Sequence, residues 1–152
     1  MLMTCVACDD VHLIDDDAAR LRGEYAVQRY VINGDTLFEA GKIDKIKVED
    51  FKIMVSRRSA DSLDIGFSWI KGGEQKGLYV RRARLTPGNA GFDLSINTIP
   101  PYFYRGTIAS NTYTEQSSLA GLGFVLLPGN YPLEELPDST GGTVTVIASR
   151  QQ

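Results

Sequence analysis

The stretch Ser62–Ile70 does most to fix what this chain can fold into. Leu63, Ile65, Phe67 and Trp69 fall at every second position, with Ser62, Asp64, Gly66 and Ser68 between them. That period belongs to a β-strand with one buried and one wet face, the habit of antiparallel sheets. The period recurs along the chain. Tyr25, Val27, Arg29 and Val31 share one face, and Ala26, Gln28, Tyr30 and Ile32 the other, directly before Asn33-Gly34. Asn-Gly at that place signals a two-residue hairpin. Thr36–Ala40 returns as a short strand. Lys42–Val48 and Phe51–Ser56 read as a second hairpin around Glu49-Asp50, with Phe51, Ile53 and Val55 on one face.

Gly72-Gly73 turns the chain after Ile70, and Lys76–Leu85 runs back. Thr86-Pro87-Gly88-Asn89 is a further turn, where proline presets φ and glycine accepts positive φ. Phe92, Leu94 and Ile96 mark the next strand. Tyr102–Ala109 and Gly123–Leu127 follow, with Thr112–Glu115 a weaker candidate between them, and Thr143–Ser149 closes the chain. Helical turns are expected only near Asp15–Leu21 and at Leu133–Leu136. About eight to ten short strands and almost no helix predict an all-β fold. An antiparallel up-and-down barrel of about eight strands is the leading form, and a β-sandwich is the alternative.

A chain of 152 residues is one domain in length. Residues 18–152 read as that domain, and residues 1–17 as a signal remnant and acidic tether. Asp9, Asp10, Asp15, Asp16 and Asp17 crowd the tether, while the whole chain carries a formal charge of -3. A nucleic-acid binder, usually a basic domain, is not expected.

The only cysteines are Cys5 and Cys8. Three readings stay open. A C-x-x-C redox or metal pair is one, although aspartates follow it and a zinc site needs about four ligands. Two unpaired cysteines in a frayed terminus of a cytoplasmic protein is another. The third takes Cys5-Val6-Ala7-Cys8, which resembles the end of a bacterial lipoprotein signal with Cys8 as the lipidated residue; the basic and apolar regions of such a signal do not precede it.

His12, the only histidine, lies in the tether, so a Ser-His or Cys-His pair has no base on the domain. No phosphate-binding or dinucleotide-binding glycine motif occurs. A non-catalytic protein without cofactor or metal is expected. Binding has better candidates. Leu78, Val80, Arg82 and Arg84 share one strand face, and Tyr79, Arg81, Ala83 and Leu85 the other. A guanidinium turned into a barrel would need a counter-charge, which a ligand carboxylate or phosphate could supply. The plainer alternative is a surface strand with solvated arginines. In Pro100-Pro101-Tyr102-Phe103-Tyr104-Arg105 the tyrosines point one way, with apolar area and a polar handle suited to a ligand mouth, or simply cap a core strand. Arg82, Arg84, Tyr102, Tyr104 and Trp69 are therefore the candidate ligand contacts, although a core position is the plainer reading of Trp69.

Leu21-Arg22-Gly23-Glu24-Tyr25 follows the expected helical turn, and Thr143-Val144-Thr145-Val146-Ile147 forms a Thr/Val-rich last strand. This arrangement resembles the lipocalin-like (calycin) lipoproteins of bacterial envelopes, with Tyr25 at the place of the Gly-x-Trp tryptophan. The resemblance implies a barrel that binds a small hydrophobic or amphipathic molecule, an anionic one among the candidates. It implies tethering through Cys8 to an envelope membrane, on the periplasmic side or the cell surface, with the cytoplasm as the alternative location. The rival reading is a β-sandwich that docks on an envelope protein through a strand edge or the Tyr102–Arg105 patch.

Overall fold

The computed structural model describes residues 15–77, 80–100, 102–119 and 142–152. Cys5, Cys8, His12, the expected strand Gly123–Leu127 and the expected turn Leu133–Leu136 lie outside the described residues. One short helix, α1 (Asp17–Leu21), precedes the strands β1 (Gly23–Ile32), β2 (Asp35–Glu39), β3 (Ile43–Asp44) and β4 (Glu49–Ser59). There follow β5 (Ser62–Lys71), β6 (Glu74–Gly77), β7 (Arg81–Pro87), β8 (Phe92–Ser95), β9 (Tyr104–Ala109), β10 (Thr112–Ser118) and β11 (Thr143–Arg150).

Eight of these strands, β1, β4, β5, β7, β8, β9, β10 and β11, pair in that order, each antiparallel to its neighbours, and β11 returns to β1. The result is a closed barrel, consistent with a lipocalin-like architecture, and not the alternative sandwich. Asn33 (φ 51°) and Gly34 (φ 82°) make the hairpin turn expected of Asn-Gly. The second expected hairpin does not form: β3 pairs with β2, while β4 runs between β1 and β5. Closure of the ring claims both edges of β4, so residues 42–48 have no edge there to join.

Two bulges decide which side chains point inward. In β1, Val27 opposes Ala148 and Arg29 opposes Ile147, so one extra residue lies in β1. The inner face therefore passes from Tyr25 and Val27 to Tyr30 and Ile32, all buried. Strict alternation would have continued with Arg29 and Val31. At the same place β1 exchanges β4 as neighbour for β2. The second bulge divides the expected strand Lys76–Leu85. Both pieces pair with β5: Ser68 opposes Gly77 and Ile65 opposes Arg81. Three steps back along β5 are matched by four steps forward, so one extra residue is inserted before Arg81. A one-residue shift turns a strand over. Arg81, Ala83 and Leu85 face the interior, and Arg82 and Arg84 face solvent.

The interior is packed with Tyr25, Tyr30, Tyr113, Phe67, Ile53, Leu63, Ile65 and Ile108, each essentially without exposure. One end is covered by α1. Asp16 caps it by accepting from the Ala19 N–H at 2.8 Å and pairs with Arg57 at 2.7 Å. Asp16 and Asp17, assigned to the tether by the sequence, are thus the cap and first residue of the folded unit. Ala18 and Leu21 are buried, and the Tyr25 hydroxyl donates to the Leu21 carbonyl at 2.8 Å. Arg150, from β11, donates to the Arg20 carbonyl at 2.8 Å and to that of Arg22 at 2.5 Å. First and last elements are clasped at this end. The opposite end carries the longer connections, residues 33–48, 96–103 and 119–142.

Deleting Val80 should test the second bulge. The deletion lets the β6 register run on into β7 with Arg81 still opposite Ile65, so Arg81 stays inside and Arg82 and Arg84 stay outside. The cooperative urea transition followed by circular dichroism should therefore persist. Its loss would show that closure of the ring, and not register alone, needs the extra residue.

Candidate functional site

The apolar interior contains one strongly polar cluster. Glu115, in the middle of β10, has no exposed surface. It points inward because β10 alternates Tyr113, Glu115 and Ser117 toward the core. Arg81 Nη1 and Nη2 donate to its two oxygens at 2.7 and 2.8 Å, a bidentate pair. The Tyr113 hydroxyl donates to Oε2 at 2.6 Å, and Ser117 Oγ to Oε1 at 2.9 Å. The Tyr104 and Tyr113 hydroxyls lie 3.0 Å apart. The Arg81 guanidinium also lies over the rings of Phe67 (5.4 Å) and Tyr104 (5.2 Å).

Glycine makes room for this arrangement. Gly106 follows Tyr104 by two on the inner face of β9, and a methyl group there would overlap the Tyr104 ring. The ring can therefore lie along the strand and bring its hydroxyl to Tyr113. Arg81 and Tyr104 each open their strand, which places the cluster toward the end of the barrel with the longer loops.

Every acceptor of Glu115 has a donor, but the accounting for Arg81 does not close. Among the described residues its buried Nε–H has no partner, and the side chain is only 10% exposed. A buried donor left unmade is costly, and such a group needs an explanation. Burial would lower the Arg81 pKa, but its hydrogen bonds to Glu115 more than offset this and hold it above the usual value. Burial, reinforced by the Glu115 charge, pushes the Tyr104 and Tyr113 phenols upward.

Two further features lie on the outer wall. A cleft of about 400 Å³ is lined by Glu24, Lys52, Met54, Ser68, Gln75, Lys76 and Gly77. Its most buried cation, Lys52, is held by Glu24 at 3.2 Å and Asp50 at 3.1 Å, and those bonds raise its pKa. A shallower groove of about 500 Å³ brings Arg82 and Arg84 together with Asp61, Ser62, Ser95 and Asn97.

The five candidate ligand contacts thus separate. Arg82 and Arg84 stand on the outer wall. Tyr104 belongs to the interior cluster. Tyr102 is 40% exposed on the rim, in the loop before β9. Trp69 is buried edge-on against Phe51, with ring centres 6.3 Å apart. Arg81 was expected on the face opposite Arg82 and Arg84 but was not singled out, and Glu115 carried no signal at all. Among the described residues, no group of three or more His, Cys, Asp or Glu could hold a metal ion.

No family model matches the chain, and no curated protein or solved structure compared with it shows a significant similarity.

Removing one partner of the buried pair should cost far more than removing both. Glu115→Leu leaves the guanidinium uncompensated and should cost about 3–5 kcal/mol. Arg81→Met with Glu115→Leu should recover most of that loss. Urea unfolding of the two singles and the double variant closes the cycle; additive losses would show that the two charges are not coupled.

The phenols give a pH signature. Unfolded tyrosine titrates near about 10, while Tyr104 and Tyr113 titrate higher in the folded chain. The folded state then holds more protons, so stability is intact below about pH 10 and falls as pH rises past it. Each phenol contributes up to about 1.4 kcal/mol per pH unit in that window. Tyr113→Phe should flatten the alkaline limb of stability measured by urea unfolding; an unchanged limb would place the titration elsewhere.

Proposed function

We propose that this protein is a non-catalytic, lipocalin-like carrier or sensor of a small amphipathic molecule, taken in at the end of the barrel opposite α1. The observation that carries this reading is the buried Arg81 Nε–H, which has no partner among the described residues, on a guanidinium that lies over the Tyr104 ring. A donor in that position would give a ligand's polar end one defined anchor beside the rings of Phe67 and Tyr104. The covered end at α1 and the polar cluster toward the other end give the barrel a direction. An envelope tether at Cys8 is part of the same proposal. Its mark would be an intact mass exceeding that of the polypeptide by an acylated glycerol group.

Native mass spectrometry of the full chain isolated from a bacterial host tests the binding function. The expected result is an extra mass that is lost on denaturation and is absent or at least tenfold less occupied in the double variant Arg81→Met with Glu115→Leu, which leaves no unpaired buried charge. A clean polypeptide mass, with no change of Trp69 fluorescence on adding medium-chain amphipaths, would defeat the reading.

A second reading has its own observation. Val80, Ile99 and Tyr102 are the exposed large hydrophobics among the described residues, and all three border the long-loop end. This favours docking of that rim on an envelope protein. Ile99→Asp would then abolish co-purification of the partner while leaving any bound small molecule in place.

A further inference from the structure

A guanidinium inside a barrel needs a counter-charge, which an anionic ligand could supply. The interior already contains that charge. Both Nη groups of Arg81 are taken by Glu115, in a bidentate pair at 2.7 and 2.8 Å, and Tyr113 and Ser117 saturate the remaining acceptor capacity of that carboxylate. The pair is neutral as a unit. What remains is one N–H, on Nε, and the oxygen of Tyr104.

From this we infer that Glu115 acts as a built-in counter-ion that makes the site select an uncharged hydrogen-bond acceptor, such as an ester or amide carbonyl on an apolar chain, and reject the corresponding carboxylate. This rests on the ligand-binding reading above and names the ligand class for the same site. A carbonyl oxygen can take the Arg81 Nε–H without bringing charge into the barrel. A carboxylate at that place would lie within a few ångströms of Glu115, and one of two buried anions would be left without compensation. Two carboxylates beside a single guanidinium resist joint ionisation, so the second must bind protonated or not at all. Glu115 is a specificity-determining residue in this account; it acts on the ligand through Arg81 and need not touch it.

The test compares methyl decanoate with decanoate at pH 8, two probes of equal chain length that differ in charge. Binding to the full chain is read by Trp69 fluorescence and by native mass spectrometry. The wild-type chain should bind the ester at least tenfold more tightly than the carboxylate. Glu115→Gln removes the counter-ion, keeps the side chain's size, and should invert that order. Equal binding, or a wild-type preference for decanoate, overturns the inference and leaves the binding function standing. Failure of both probes to bind overturns the binding function itself. Should Glu115→Gln not fold, the wild-type ratio decides alone, supported by Arg81→Gln with Glu115→Gln. That neutral double variant should weaken ester binding at least tenfold without gaining affinity for decanoate; a gain would overturn the inference.

Discussion

Closure of the sheet between β1 and β11 is the constraint from which the rest of the molecule follows. It leaves each barrel strand with one inner and one outer face, so every strand must supply residues that can live inside. β1 breaks the simple period of two, and so do the collinear pieces β6 and β7. In both places an extra residue lets the ring coil without losing its pairing. The bulges are therefore where the barrel's shape and its internal chemistry are decided together.

The interior polar cluster is a direct product of that geometry. Arg81 faces inward because of the extra residue inserted before it, and Glu115 faces inward because Tyr113 and Ser117 do. Neither could be stable there alone. A buried ion pair contributes little net stability compared with apolar residues of the same shape, yet breaking it is expensive. The pair therefore constrains: it fixes the facing of β7 against β10 and punishes a slip of either strand. Phe67 and Tyr104 add aromatic faces to the guanidinium, and Gly106 supplies the space the Tyr104 ring needs.

Much of the fold could be read from the residues. The strand at Ser62–Ile70, the Asn33-Gly34 turn, the Gly72-Gly73 turn and the Thr/Val-rich last strand all reappear where expected, although Gly66 and Ser68, on the face expected to be wet, are buried. Their signal is local, because side-chain alternation and turn conformation depend on neighbours in sequence. The bulges were not legible, since the extra residue is defined only against a partner strand. This is why Tyr25, Val27, Arg29 and Val31 read as one continuous face of β1, and why Arg81 reads as lying opposite Arg82 and Arg84 on an unbroken strand. Glu115 was hidden for another reason. In Thr112–Ser118 the inward and outward residues are both polar, so there is no contrast to mark a buried face. The need for a counter-charge was visible in the arginines; its source, thirty-four residues further along the chain, was not.

The clasp between the two ends of the barrel has a consequence for biosynthesis. The strand that completes the ring spans residues 143–150, and the strand it must find spans residues 23–32. Such long-range pairing gives a high contact order and slow folding. While a ribosome is still adding β11, β1 presents an unpaired edge, and Arg150 has not yet reached the carbonyls of α1. The nascent chain is thus an open ribbon with an adhesive edge until β11 emerges. Closure waits on the synthesis of that strand, and it depends on keeping the β1 edge from other chains in the interval.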